Sequence, residues 1–87
     1  MITKQSLQHD FPDFNIHHAR FTQTEFYMLV KDQIHFHVDV DKESEDITVL
    51  VYVEGDKVKE LIANSGSMKE LVSELRTITR DYDNTGA

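Results

Sequence analysis

Between Gln33 and Val40 the chain reads QIHFHVDV, and Ile34, Phe36, Val38 and Val40 take every second position. His35, His37 and Asp39 fill the places between, with Asp41 just beyond. Successive side chains of a strand point to opposite faces. The alternation therefore predicts a strand with one apolar side and one side of histidines and carboxylates. DITVLVYVE (46–54) repeats the pattern after the acidic turn DKESE, and EFYMLVK (25–31) precedes it, rich in aromatic and β-favouring residues. FNIHHARF (14–21) is a weaker strand candidate. Gly55-Asp56, between Val53 and Val58, is a two-residue hairpin signal and predicts a last strand over Lys57–Ala63. Val58, Leu61 and Ile62 also sit at helical spacing, so a short helix is the rival there.

Two helices frame these strands. Thr3–Asp10 is expected to be a short helix capped by Thr3 and anchored by Leu7, stopped by Pro12. In SGSMKELVSELRTITRDY, Ser67 and Glu70 have capping-box spacing. Met68, Leu71, Val72, Leu75, Ile78 and Tyr82 then form one apolar stripe, predicting a helix to about Tyr82 and a frayed tail over 82–87. Arg76 and Arg80 are expected on an exposed edge, as solubilising charges.

Residues directly opposite in a sheet share a face, so the pattern suggests a register. Pairing Val40–Ile47, Val38–Val49, Phe36–Val51 and Ile34–Val53 gathers apolar residues on one side. Pairing Val30–Ile34 and Met28–Phe36 across a three-residue loop, Lys31-Asp32-Gln33, does the same for the preceding hairpin. On the second face this places Tyr27 beside His37 and Leu50, and Leu29 beside His35 and Tyr52. Asp39 then opposes Thr48, and Asp41 opposes Asp46. A wet face seldom gathers such a patch, so a cover is expected. It is either the N-terminal segment, through Leu7, Phe11 and Phe14, or another protein or a second copy.

Composition narrows the function classes. The 87 residues suit one domain and carry a formal charge of −7 with no cysteine. Thiolate metal sites, disulfides and thiol nucleophiles are excluded. From Asp32 to Ala63, nine acids stand against Lys42, Lys57 and Lys59. Direct binding to a phosphate backbone is disfavoured, because that affinity comes from Lys and Arg displacing counterions. The last helix opens SMKELVSEL with Lys69 as its lone base, too few to cross the phosphates of double-stranded RNA. A basic protein partner suits the charge better. The opening MITKQSLQHDF lacks a continuous apolar core, so no secretory signal is expected, and no run is long enough to span a membrane.

His35 and His37 have a genuine metal-ligand spacing, yet zinc needs further donors. Asp39 lies too far along a straight strand, and His17 and His18 point in opposite directions if they sit on a strand. Half-buried spacers are the preferred reading for the two histidines. DVDKESED resembles a calcium loop only superficially: counted from Asp39, its sixth position is Ser44 and its twelfth Leu50, where glycine and glutamate are required. No serine–histidine–aspartate arrangement is placed by the pattern.

The expected fold is α+β: an antiparallel meander of three to five strands, a C-terminal helix on one face and a short N-terminal helix at an edge or over the other face. The expected function is that of a small acidic, cytoplasmic, non-enzymatic interaction module without cofactors, an accessory or inhibitory protein of the kind that phages and mobile elements carry. Its partner-binding candidates are Asp39, Asp41, Glu43, Glu45 and Asp46 with Tyr27, Leu29, Leu50 and Tyr52. The rivals are a metal domain built on His35 and His37, and a structural homodimer joined through the second sheet face.

Overall fold

The computed structural model describes residues 2–85, without the side chains of Ser65 and of 83–85. Helix α1 (Lys4–Asp10) leads into strands β1 (Asn15–Arg20), β2 (Thr24–Lys31), β3 (Ile34–Asp41), β4 (Ile47–Val53) and β5 (Asp56–Ala63). A 3-10 turn (Ser65–Ser67) then opens helix α2 (Met68–Thr85). The strands form one antiparallel sheet in the order β1-β2-β3-β4-β5, a meander in which every neighbour is also a neighbour in sequence. The fold is α+β, as the alternating strands and the amphipathic C-terminal stripe predict. None of the described helices is long and apolar enough to cross a membrane.

The β3–β4 hairpin has the predicted register, with Val40 opposite Ile47, Phe36 opposite Val51 and Ile34 opposite Val53. Its turn is organised by Asp41, whose Oδ1 accepts the backbone N–H groups of Glu43 and Ser44, both at 2.9 Å. These bonds hold the Asp41 carboxyl below its usual range.

The β2–β3 hairpin corrects the expected register. Lys31 pairs with Ile34 and Leu29 with Phe36, so the loop has two residues, Asp32-Gln33, not three. Asp32 takes the left-handed φ of 54°, a conformation that Asp tolerates better than most side chains. Because the side-chain period is two, removing one loop residue turns the whole strand over. Tyr27 and Leu29 therefore lie in the core, at 1% and 0% exposure, while Phe26, Met28 and Val30 face the other way.

The β4–β5 turn is Glu54-Gly55, at φ values of 54° and 85°, one residue earlier than the Gly55-Asp56 signal suggests. A bulge absorbs the difference: Val51 pairs with Lys59 and Tyr52 with Lys57, leaving Val58 unpaired. Without that extra residue Glu60 would fall opposite Val49 in the core. With it, Leu61 and Ala63 turn inward, and Lys59 reaches Glu74 of α2 at 2.8 Å.

Both helices pack on the same side of the sheet. Leu71, Leu75 and Ile78 of α2 are buried there, whereas Tyr82, expected in the stripe, is 37% exposed. Helix α2 continues to Thr85, past the expected end at Tyr82; residues 86 and 87 of the expected frayed tail lie outside the described residues. Phe11 and Phe14 both meet Phe36, with ring centroids 6.1 and 5.2 Å apart. Ile2 and Leu7 join the same core, so the N-terminal segment covers this side and not the second face. Thr3 caps α1 as predicted, trading backbone N–H bonds with Ser6 at 3.0 Å each. Arg76 is more than a solubilising charge. Its Nη2 donates to the Asp10 carbonyl at 2.9 Å, closing the C-terminal end of α1 with a cation.

The start of α2 also differs from expectation. The reciprocal cap is formed by Asn64 and Ser67, not by Ser67 and Glu70. Asn64 Oδ1 accepts from Gly66 N–H at 2.9 Å, and Ser67 Oγ accepts from Asn64 N–H at 3.1 Å. The cap sits one 3-10 turn upstream because that turn, not the α-helix, carries the first free N–H groups.

Candidate functional site: the uncovered face of the sheet

Every element that packs on the sheet does so on the side of Phe36, Val49 and Leu29. The opposite side carries no covering element among the described residues. Its side chains follow from the register. Across the middle of the sheet run His17, Met28, His37, Leu50 and Glu60. Beside them on one flank run Asn15, Val30, His35, Tyr52 and Lys57; on the other run Ala19, Phe26, Asp39, Thr48 and Ile62.

The centre of this face is apolar and aromatic. His37 meets Tyr52 at a ring-centroid distance of 4.6 Å and Phe26 edge-on at 5.7 Å. Met28, Val30, His35, His37, Leu50 and Tyr52 are all half-buried by one another, and Ile62 at the β5 edge is 76% exposed. Burial among these neighbours, then the neighbouring His35, pushes the His37 pKa below its ordinary value, with Asp39 opposing. The patch expected around His35 and His37 therefore exists, but with other members. Leu50 and Tyr52 belong to it; Tyr27 and Leu29 do not, and Phe26, Met28 and Val30 take their places.

Charge on this face is sparse. Lys57 and Glu60 pair with each other at 3.7 Å, leaving Asp39 as the other formal charge in the three rows. The acids of the candidate docking surface divide accordingly. Asp39, Glu43, Glu45 and Asp46 are exposed, while Asp41 is engaged in its own turn.

His35 and His37 stand with ring centroids 6.3 Å apart. Among the described residues no group of three or more His, Asp or Glu side chains is arranged to hold a metal ion. The tandem histidines point oppositely: His17 lies on the uncovered face and His18 on the other.

His18 joins a small cluster that the sequence pattern does not bring together. Its ring stacks on Tyr27 at 4.3 Å and 13°, and its Nε2, 3.7 Å from Glu25 Oε1, is buried without a hydrogen-bond partner. Glu25 also pairs with Arg20 at 3.3 Å. The Tyr27 hydroxyl lies 3.3 Å from the Ile2 carbonyl oxygen and 3.4 Å from Glu25 Oε2. Burial, then Glu25, pushes its pKa up. The cluster ties the chain before α1 to the β1–β2 edge, and only the corrected β2 register brings Tyr27 to it.

Comparison with family models, with curated proteins and with solved structures returned no match to the chain.

Proposed function

We propose that this chain is a non-enzymatic, cytoplasmic protein-interaction module whose docking surface is the uncovered sheet face. The observation that supports this most is the concentration of Phe26, Met28, Val30, Leu50 and Tyr52 on the one side that neither helix covers. A contiguous apolar patch of this kind marks a contact site in soluble proteins. Aromatic residues and Met are also the types enriched at interface centres. The acidic β3–β4 turn flanks the patch with Glu43, Glu45 and Asp46, which would steer an approaching basic surface without adding much to its residence time.

The test is a Met28→Asp/Leu50→Asp variant, whose substitutions lie outside the core. Light scattering and affinity capture from the native host should show a partner, of whatever identity, with the wild-type chain and lose it with the variant. Equal binding by both chains would remove the face from the account. Replacing Asp39, Glu43, Glu45 and Asp46 by Asn should slow association with a basic partner and weaken its salt dependence.

A further inference from the structure

We propose that the occupant of the uncovered face is a second copy of this chain, packed sheet on sheet with β3 lying over β3 of the partner. The inference rests on the docking surface proposed above and names what fills it.

Extent is the first argument. Five strands spaced by about 4.8 Å and six to eight residues long, at roughly 3.3 Å per residue, give a face of roughly 24 by 20–26 Å. Such a face covers roughly 600 Å², so burying it on both copies reaches the lower end of the standard interface range, about 600–1,000 Å² per partner.

Charge is the second. The chain carries −7 overall, so a partner chosen by net charge would be basic and would settle on the acidic turns. The uncovered face is different in kind. Around β3 it holds Phe26, Met28, Leu50 and Tyr52; its edge pair Lys57–Glu60 is internally neutral, and Asp39 is the other formal charge in its three rows. A surface that is apolar and nearly uncharged is complementary to itself. The acids cluster instead in the hairpin turns at the ends of the strands, at Asp32, Glu43, Glu45, Asp46 and Glu54. Two aligned sheets cross at about 30°, which splays those ends apart, and physiological salt screens charges beyond about 8 Å.

Layering is the third. A sheet covered by helices on one side alone leaves its other apolar side unburied. Stacking two such sheets completes a four-layer α-β-β-α arrangement. A two-fold axis lying between the two sheets and running nearly along β3 sets His35 and His37 close to their own copies, since β3 is the central strand. Their surroundings are then Phe26, Met28 and Val30 of β2, Leu50 and Tyr52 of β4, Asp39 on β3, His17 on β1, and Lys57 and Glu60 on β5. Neutral imidazoles fit that setting. Protonating both histidines in both copies would bring cations together with only Asp39 to offset them, since Glu60 is already paired with Lys57.

The experiment is sedimentation equilibrium at pH 7.5 and pH 5 on three chains: wild type, Leu50→Asp, and the double variant His35→Phe/His37→Phe. The expected result is a wild-type dimer at pH 7.5 that dissociates at least tenfold more readily at pH 5. Leu50→Asp should be monomeric at both values with an unchanged circular dichroism spectrum, and the double variant dimeric at both. A wild-type chain that stays monomeric to millimolar concentration would overturn the second copy as occupant. The broader docking reading would stand if the aspartate variants still abolished capture of a host protein. A dimer indifferent to Leu50→Asp would place the contact elsewhere and overturn both. A wild-type dimer equally stable at the two pH values would overturn the superposition of β3 on β3.

Discussion

His37 lies against Tyr52, their ring centroids 4.6 Å apart and their planes tilted by 37°, on the side of the sheet away from both helices. This contact withdraws part of the imidazole from water, and the lowered His37 pKa has burial as its leading cause. A histidine with a depressed folded pKa binds more protons when unfolded. Stability is therefore at its full value above the unfolded pKa, about 6.5, and declines as pH falls below it. The decline stops once the folded pKa is passed. Ring-proton NMR should show His37 titrating below the free value. Tyr52→Ala should move it back upward by exposing the ring; an unmoved titration would mean that Tyr52 does not shield it.

Leu29 and Met28 are neighbours in sequence on opposite sides of the sheet, which makes them a direct test of the β2 register. Leu29→Ala should cost about 2–5 kcal/mol by opening a cavity under the helices. Met28→Ala, on the half-exposed side, should cost far less. Urea unfolding decides between them, and the reverse order of stabilities would restore the three-residue β2–β3 loop.

Glu54 and Gly55 both take left-handed φ values, 54° and 85°, in the β4–β5 turn. Gly55→Ala should cost about 1 kcal/mol, since a Cβ is strained there although no atom lies within 4 Å of it. Glu54→Asn should raise stability by roughly 0.5–1 kcal/mol by producing the sequence that such turns prefer. Thermal unfolding of the two variants should move in opposite directions.

At the start of α2, Ser67 Oγ accepts from Asn64 N–H while Asn64 Oδ1 accepts from Gly66 N–H. Asn64→Ala should cost about 0.5–2 kcal/mol, and the double variant with Ser67→Ala little more than either single change. Additive losses would show that the two side chains act separately.

The legibility of this chain varied with how much each segment constrains its own facing. β3 and β4 each carry one apolar set and one mixed set, and an acid-rich turn joins them, so their pairing follows from the pattern. β2 carries two apolar sets, Phe26-Met28-Val30 and Tyr27-Leu29, and alternation cannot choose between them. The difference between them is tertiary: Tyr27 and Leu29 pack in the core under the helices, where the Tyr27 hydroxyl also lies 3.3 Å from the Ile2 carbonyl oxygen, 25 residues away in sequence. The β5 bulge is similarly hidden, because it serves to keep Glu60 out of the core and leaves no local signature beyond an awkward parity. The pattern places an apolar patch around His35 and His37, and Leu50 and Tyr52 belong to it, but the expected three-residue β2–β3 loop puts Tyr27 and Leu29 there in place of Phe26, Met28 and Val30.

The strictly sequential strand order bears on how the chain reaches its structure. Every strand contact closes a short loop, which costs little chain entropy and favours rapid pairing, hairpin by hairpin. The Arg76–Asp10 bond spans 66 residues and needs both helices in place. A meander formed before both the N-terminal segment and α2 dock would be bare on both sides, with Phe36 and Leu29 open to other chains as well as Phe26 and Met28. Docking of the helices is therefore what closes the Phe36 side of the sheet to other chains. Arg76→Ala should leave the refolding rate nearly unchanged and accelerate unfolding, as expected for a contact made after the barrier.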